Sequence, residues 1–137
     1  MGTKTQAIEK NQIHELVDSW ATAVRAKDLD GMMANYAPDV ISFDVLPPLQ
    51  ETGLETARKR AEIWISSFQG AIGYEMHDLS ITMGEDIAFC HSINQVSGTK
   101  TDGGKVDMPV RATICFRKIN GAWLVTHQHI SVPVEMG

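Results

Sequence analysis

The sequence predicts an α+β domain in which three N-terminal helices cover one side of a curved antiparallel β-sheet. Apolar residues recur at helical spacing through the first half of the chain, whereas the second half alternates polar and apolar residues with a period of two, the pattern of half-buried strands. The alternating stretches are separated by Gly84-Glu85-Asp86, Thr101-Asp102-Gly103-Gly104 and Asn120-Gly121, residues that accept turn geometry. The last of these lies between two β-branched runs. Asn and Gly both tolerate positive φ, so the pair is the strongest short-range hairpin signal a sequence offers.

Residues 1–5 are expected to be disordered, and a single domain to occupy 6–137. From about Gln6 to Lys27 the positions Ile13, Leu16, Val17, Trp20, Ala21 and Val24 form one apolar stripe of a long amphipathic helix. Asp28 is placed to cap a second, short helix carrying Leu29, Met32, Met33 and Tyr36, which Pro38 should stop. Val40 to Val45 then reads as a strand with Ser42 and Asp44 on one face, ended by Pro47-Pro48. Thr52 is expected to cap a third helix whose buried stripe is Ala57, Ala61, Trp64, Ile65 and Phe68, closed by Gly70 and Gly73.

Four strands complete the chain, near 73–83, 87–98, 106–119 and 123–134. In the final hairpin Val110, Ala112, Ile114 and Phe116 share one face and Arg111, Thr113, Cys115 and Arg117 the other. Strict alternation puts Leu124, Thr126, Gln128, Ile130 and Val132 opposite Trp123, Val125, His127, His129 and Ser131. Neither of these faces is purely polar. Both are expected to meet protein, a ligand or a second subunit.

With 43% hydrophobic and 21% charged residues the 137-residue chain has ordinary globular composition. A net charge of −5 and a pI near 5.4 argue against nucleic acid as a partner, since that footprint is basic. Cys90 and Cys115 are too few for a disulfide framework and read as small buried residues of a reducing compartment. No apolar run near the N-terminus has the length of a signal peptide or membrane span, so a cytoplasmic protein without membrane contact is expected.

The order helix, short helix, strand, helix, four strands, with Tyr36-Ala-Pro-Asp-Val40 entering the first strand and Gly121-Ala-Trp-Leu-Val-Thr-His-Gln-His-Ile-Ser131 closing the chain, resembles the nuclear-transport-factor-2-like superfamily. Within it the chain is most similar to the SnoaL-like and ketosteroid-isomerase-like group. The resemblance spans Ile8 to Pro133 and implies a cone with a deep pocket between sheet and helices, a fold that carries many activities. Aligned without a gap from Trp20 to Asp44, the sequence resembles the ketosteroid isomerases. Asp44 then falls on their general base, Trp20 on their oxyanion-hole tyrosine, and Ala112 or Thr113 on their second donor, a protonated aspartate. Neither Ala nor Thr replaces a neutral carboxylic acid, so steroid isomerisation itself is not expected.

A second similarity, to the association domain of calcium/calmodulin-dependent kinases, rests on Gly84-Glu-Asp-Ile-Ala88 and His127-x-His129-x-Ser131. That domain's three pocket arginines match Asn94, Ile114 and Ile130, so its carboxylate site is not reproduced. The match implies that Ser92, Asn94, Ile114, Gln128 and Ile130 face the cavity. It also implies that His91, Arg111, His127 and His129 lie on the convex side, the side these folds use to dimerise.

Asp44 is therefore the catalytic candidate: in a cavity lined by Trp20, Met33, Tyr36, Trp64, Ile114 and Ile130, desolvation would raise its pKa into the range of a useful base. The competing reading is a strand-end aspartate bonded to the backbone of the Pro47-Pro48 turn. Tyr36, Ser92, Asn94 and Gln128 would supply the few polar contacts that orient a ligand, with Trp20 and Trp64 as apolar wall. His127 and His129 have a spacing that metal sites use, with His91 or Arg111 as neighbours. The favoured alternative is a hydrogen-bonded cluster at a dimer interface, so no metal is expected. These residues together predict a small cofactor-independent enzyme performing isomerase-, cyclase- or dehydratase-type acid/base chemistry on a hydrophobic small molecule. The alternative is a non-catalytic small-molecule-binding or dimeric association module.

Overall fold

A computed structural model describes residues 3–136. Of the start expected to be disordered, Met1 and Gly2 lie outside the described residues, and Thr3–Thr5 open the first helix, α1 (Thr3–Ala26). Its stripe is buried as expected, with Ile13, Val17, Ala21 and Val24 almost wholly shielded. Lys27, at φ 58°, ends α1, and its ammonium donates to the Phe68 carbonyl at 2.7 Å. Asp28 caps α2 (Leu29–Met33), its Oδ1 accepting from the Gly31 N–H at 3.1 Å.

Pro38 does not stop that helix. It lies inside β1 (Tyr36–Phe43), which starts and ends before the expected Val40–Val45. A strand tolerates proline where the ladder is already interrupted, and pairing of β1 is irregular between Tyr36 and Ile41. Thr52, expected as a helix cap, belongs instead to a two-residue strand, β2 (Glu51–Thr52), opposite Ile41. Gly53 begins α3 (Leu54–Ser66) from φ 100°, where its N–H reaches the Val40 carbonyl at 2.8 Å. A side chain would strain that backbone.

Phe68, assigned to the third helix by its spacing, is the first residue of β3 (Phe68–Met83) and is only 2% exposed. Gly70 and Gly73 consequently do not close the helix. Ser67 does, its hydroxyl donating back to the Trp64 carbonyl, while Gly70 at φ 72° lies in the register shift of β3 between Gln69 and Gly73. Three long strands follow: β4 (Ile87–Lys100), β5 (Lys105–Ile119) and β6 (Ala122–Ser131). The last stops short of the predicted 134. At the final turn Asn120 and Gly121 both have positive φ, 51° and 83°, as the hairpin signal requires.

The six strands form one sheet in the order β2-β1-β6-β5-β4-β3. Its long hairpins are antiparallel, but β1 runs parallel to β6, so the expected all-antiparallel sheet is corrected to a mixed one. Strict alternation also fails in β6. Opposite the Cys115–Phe116 step the register shifts, so Trp123 and Val125 point inward before the irregularity and Gln128 and Ile130 after it. This explains why neither face of β6 read as polar. The helices cover the concave side, where Val17, Val24, Ile72, Tyr74 and Phe116 pack into one core.

Candidate functional site

Between α1 and the concave sheet lie two adjoining cavities that share Val17, Trp20 and Ile114 as walls. The first is lined also by Leu16, Met32, Tyr36, Phe116 and Val125, and the second by Tyr74, Cys90, Ser92, Asn94, Gln128 and Ile130. Each leaves about 20 Å³, enough for roughly one water molecule. Any larger occupant must displace a wall.

Two hydrogen-bonded chains supply the polar groups. From β1 to β6, the Tyr36 hydroxyl donates to Gln128 Oε1 at 2.7 Å, and Gln128 Nε2 donates to Ser42 Oγ at 3.2 Å. Parity places Ser42 and Gln128 on the inner face, directly opposite each other. Within β4, Ser92 Oγ donates to Asn94 Oδ1 at 2.8 Å, and Asn94 Nδ2 reaches across to β3 to donate to Tyr74 Oη at 2.6 Å. Burial drives the Tyr36 and Tyr74 phenols well above their ordinary value. For Tyr74 the Asn94 bond offsets part of the rise, and for Tyr36 the neighbouring Trp20 indole and Gln128 do so. Both are neutral donors throughout the ordinary pH range.

Trp20 stands between the cavities, edge-on to Tyr74 with ring centroids 5.2 Å apart. Its Nε1 is buried and faces the Tyr36 hydroxyl, near enough to favour the phenolate but without full hydrogen-bond alignment. A buried N–H left unpaired costs about 1–3 kcal/mol, so this group is a candidate contact for whatever enters.

The residues expected to face the pocket divide into two sets. Trp20, Tyr36, Ser92, Asn94, Ile114, Gln128 and Ile130 all line one cavity or the other. Trp64 does not: it stacks edge-on against Phe68 at 5.5 Å, on the side where α3 meets β3. Met33 is in neither lining; the methionines of the walls are Met32 and Met76.

Asp44 is also outside the linings. It has the parity of the buried Ser42, but β1 ends at Phe43, and the chain turns before that parity can carry the carboxylate inward. Its Oδ1 accepts from the Val45 N–H at 2.7 Å, and its Oδ2 lies 3.9 Å from Arg60 Nε, with the side chain 38% exposed. In this placement Asp44 is a strand-end aspartate bonded to backbone, outside both cavity linings. Arg60 holds the same loop by donating to the Pro47 and Leu46 carbonyls at 3.0 and 3.1 Å, and its Nε lies 2.7 Å from Glu51 without hydrogen-bond alignment.

On the opposite face of the sheet His91, Arg111 and His129 are exposed and His127 is half-buried. His127 Nδ1 lies 2.8 Å from the Ile41 carbonyl, which only accepts, so that nitrogen carries the proton. Thr113 pairs with both His91 and His129, and Phe43 packs edge-on against the rings of His127 and His129 at 4.7 and 5.4 Å. Tyr74 was missed among the pocket residues. The alternation Ile72, Tyr74, Met76 against Glu75 and His77 carries its signal, because it faces Tyr74 inward.

No curated protein matches this chain by sequence. Among solved structures it is similar to a nuclear-transport-factor-2-like protein of unknown function from Pseudomonas putida KT2440, at 29% identity and TM-score 0.86, over 95% of this chain and 90% of that one. A candidate dehydratase of the same fold family from Streptomyces avermitilis shares 14% identity at TM-score 0.83, over 95% of this chain and 99% of that one. A candidate calcium/calmodulin-dependent protein kinase II association domain from Xanthomonas campestris shares 20% at TM-score 0.77, over 91% and 88%. The last two share the fold alone. The family model described as the SnoaL-like domain matches residues 13–135, nearly the whole chain. With that match and a helix-covered curved sheet of the same architecture, the chain belongs to the SnoaL-like family of the nuclear-transport-factor-2-like superfamily.

Proposed function

We propose that this protein binds a small, largely apolar molecule between α1 and the concave face of the sheet, without a proton-transfer step of its own. One observation carries the reading. Among the described residues the walls of both cavities contain no carboxylate, imidazole, ammonium or guanidinium, only apolar side chains, hydroxyls, amides, one indole and one thiol. Such a lining orients a ligand and has no group titrating near neutrality to serve as base. Room for the ligand would come from Trp20, the wall the two cavities share.

The test is binding of 1-anilinonaphthalene-8-sulfonate and of the uncharged 2-ethylnaphthalene, followed by tryptophan fluorescence. The neutral compound should bind at micromolar concentration, Ile114→Phe should weaken it at least tenfold while remaining folded by circular dichroism, and Asp44→Asn should leave it within twofold. Failure of any apolar probe to bind, or indifference to Ile114→Phe, would refute the reading. A second reading, isomerase-, cyclase- or dehydratase-type chemistry with Asp44 as base, draws on the carboxylate's being close enough to disfavour the Tyr36 phenolate. Turnover of an enolisable ketone that Asp44→Asn abolishes would put this reading first.

We also propose that the convex face joins two copies of the chain. Phe89 and Ile93, each 41% exposed, and Ile87 at 55% stand there beside Phe43, His91 and His129, an apolar surface that water covers poorly. The similar structure named as an association domain supports this arrangement. Light scattering at micromolar concentration should give twice the 15.1 kDa chain mass, and Phe89→Glu with Ile93→Glu should halve it. Free Cys90 and Cys115 accord with a reducing cytoplasm, and among the described residues no helix is long and apolar enough to cross a membrane.

A further inference from the structure

His127 and His129 stand side by side on the convex face, two residues apart on β6, with ring centroids 6.4 Å apart. The two rings are held differently. His127 is half-buried and spends its Nδ1–H on the Ile41 carbonyl at 2.8 Å, which leaves Nε2, on the far side of the ring, without a proton and with a free lone pair. A histidine that ligates a metal almost always gives its other N–H to a carbonyl or carboxylate in this way, because the bond fixes both tautomer and ring orientation. Phe43 packs edge-on against both rings, at 4.7 and 5.4 Å, and restricts their tilt. His129 is exposed, so its ring can turn toward its neighbour.

Two imidazoles bound to one tetrahedral ion through nitrogens about 2.0–2.1 Å from it have ring centroids about 5 Å apart, so this pair closes on an ion by moving roughly 1 Å. Imidazole nitrogen suits zinc and its transition-metal neighbours, whereas magnesium and calcium take oxygen ligands. One chain cannot finish the site: among the described residues no group of three or more histidine, cysteine, aspartate or glutamate side chains is placed to hold a metal ion. A second copy can. A twofold interface sets the same patch against itself, so the pair on one chain meets the same pair on the other, and four imidazoles complete a tetrahedron. Phe89, 41% exposed, lies in the same row of the sheet, across Cys115 from His127, so a contact that covers it is centred near the pair. We propose that His127 and His129 of two copies together bind one divalent transition-metal ion of the zinc class, and that this ion tightens the association of the convex faces. The assignment rests on the convex-face reading above and adds to it the ligand that joins the copies.

Zinc titration of the metal-free whole chain tests it, followed by calorimetry and light scattering. Zn2+ should bind at micromolar concentration or tighter with one ion to two chains, and should lower the dimer dissociation constant at least tenfold, an effect that EDTA reverses and Mg2+ does not reproduce. Co2+ in its place should give the intense visible absorption of a tetrahedral site. His129→Gln, at an exposed position, should abolish the binding and leave the metal-free dissociation constant within threefold. His127→Gln should do the same, with folding checked by circular dichroism; if it unfolds, His129→Gln alone decides. His91→Gln, on the same face but outside the pair, should leave zinc stoichiometry unchanged and affinity within twofold. No zinc binding, one ion per chain, or binding that His129→Gln leaves intact would overturn the proposal while the dimer stood. A chain that is monomeric with and without zinc would bring down the convex-face reading itself, and this assignment with it.

Discussion

Asn94→Ala should lower the unfolding free energy by about 3 kcal/mol, although it removes no large apolar group. Asn94 is 3% exposed and is the one link between the Ser92 and Tyr74 hydroxyls. Ser92 is itself 8% exposed, so neither hydroxyl finds ready compensation in bulk water. A buried polar group stranded by loss of its partner costs about 1–3 kcal/mol, and here two are stranded together. The same logic forecasts a rescue. Adding Ser92→Ala and Tyr74→Phe removes the stranded groups as well, so the triple variant should be more stable than the sum of the three single losses implies, by about 2 kcal/mol. Urea unfolding of the single variants and the triple variant measures this. Strict additivity, or a loss from Asn94→Ala below about 1 kcal/mol, would mean that water occupies the vacated place and that the network is not a closed unit.

How much of this was legible in the sequence follows from which forces are local. The Asn120-Gly121 turn, the burial of Val110, Ala112 and Phe116 and the α1 stripe are determined by neighbours in the chain, and period and turn chemistry reveal them. Irregularities were not legible. The register shift in β6 exchanges its faces between Val125 and His127, and nothing in the run Trp123 to Ser131 marks where it occurs. Phe68 has helical spacing with Trp64, yet it is claimed by β3, where it packs against Trp64 from another element. The parallel pairing of β1 with β6 joins residues some ninety positions apart, beyond any local pattern. Asp44 shows the limit most clearly. Alternation with Ser42 gives its parity, but the strand ends one residue short, and the adjacent Val45 amide together with the distant Arg60 hold it outside. Alignment to a catalytic aspartate identified the position in the chain and could not see where the strand stopped.

Raising the pH above about 9 should destabilise the protein in two overlapping stages, and the first belongs to Cys90. Burial, with a smaller contribution from the nearby Cys115 thiol, pushes the Cys90 thiol up from its ordinary 9.0 to about 11, against a backbone hydrogen bond that favours the thiolate. The unfolded chain therefore loses this proton first as pH rises. Because the folded pKa is the higher one, the thiol's contribution is fully present below about pH 9 and is lost between there and about pH 11, a span worth about 3 kcal/mol. The phenols of Tyr36 and Tyr74 are raised in the same direction by burial, so from their ordinary value of 10.0 upward they add to the loss. Urea midpoints at half-unit steps from pH 7 to 11 should hold level to about 9 and then fall with increasing slope. Cys90→Val removes the more strongly raised thiol and keeps a small apolar side chain at a site 2% exposed, so it should reduce the slope between pH 9 and 10, where the Cys115 thiol, also raised by burial, still contributes, and leave the steeper fall above it. A wild-type midpoint that stays level to pH 10.5, or a Cys90→Val curve that tracks the wild type throughout, would show that Cys90 is reached by water. The wall of the second cavity would then be wetter than its apolar lining implies.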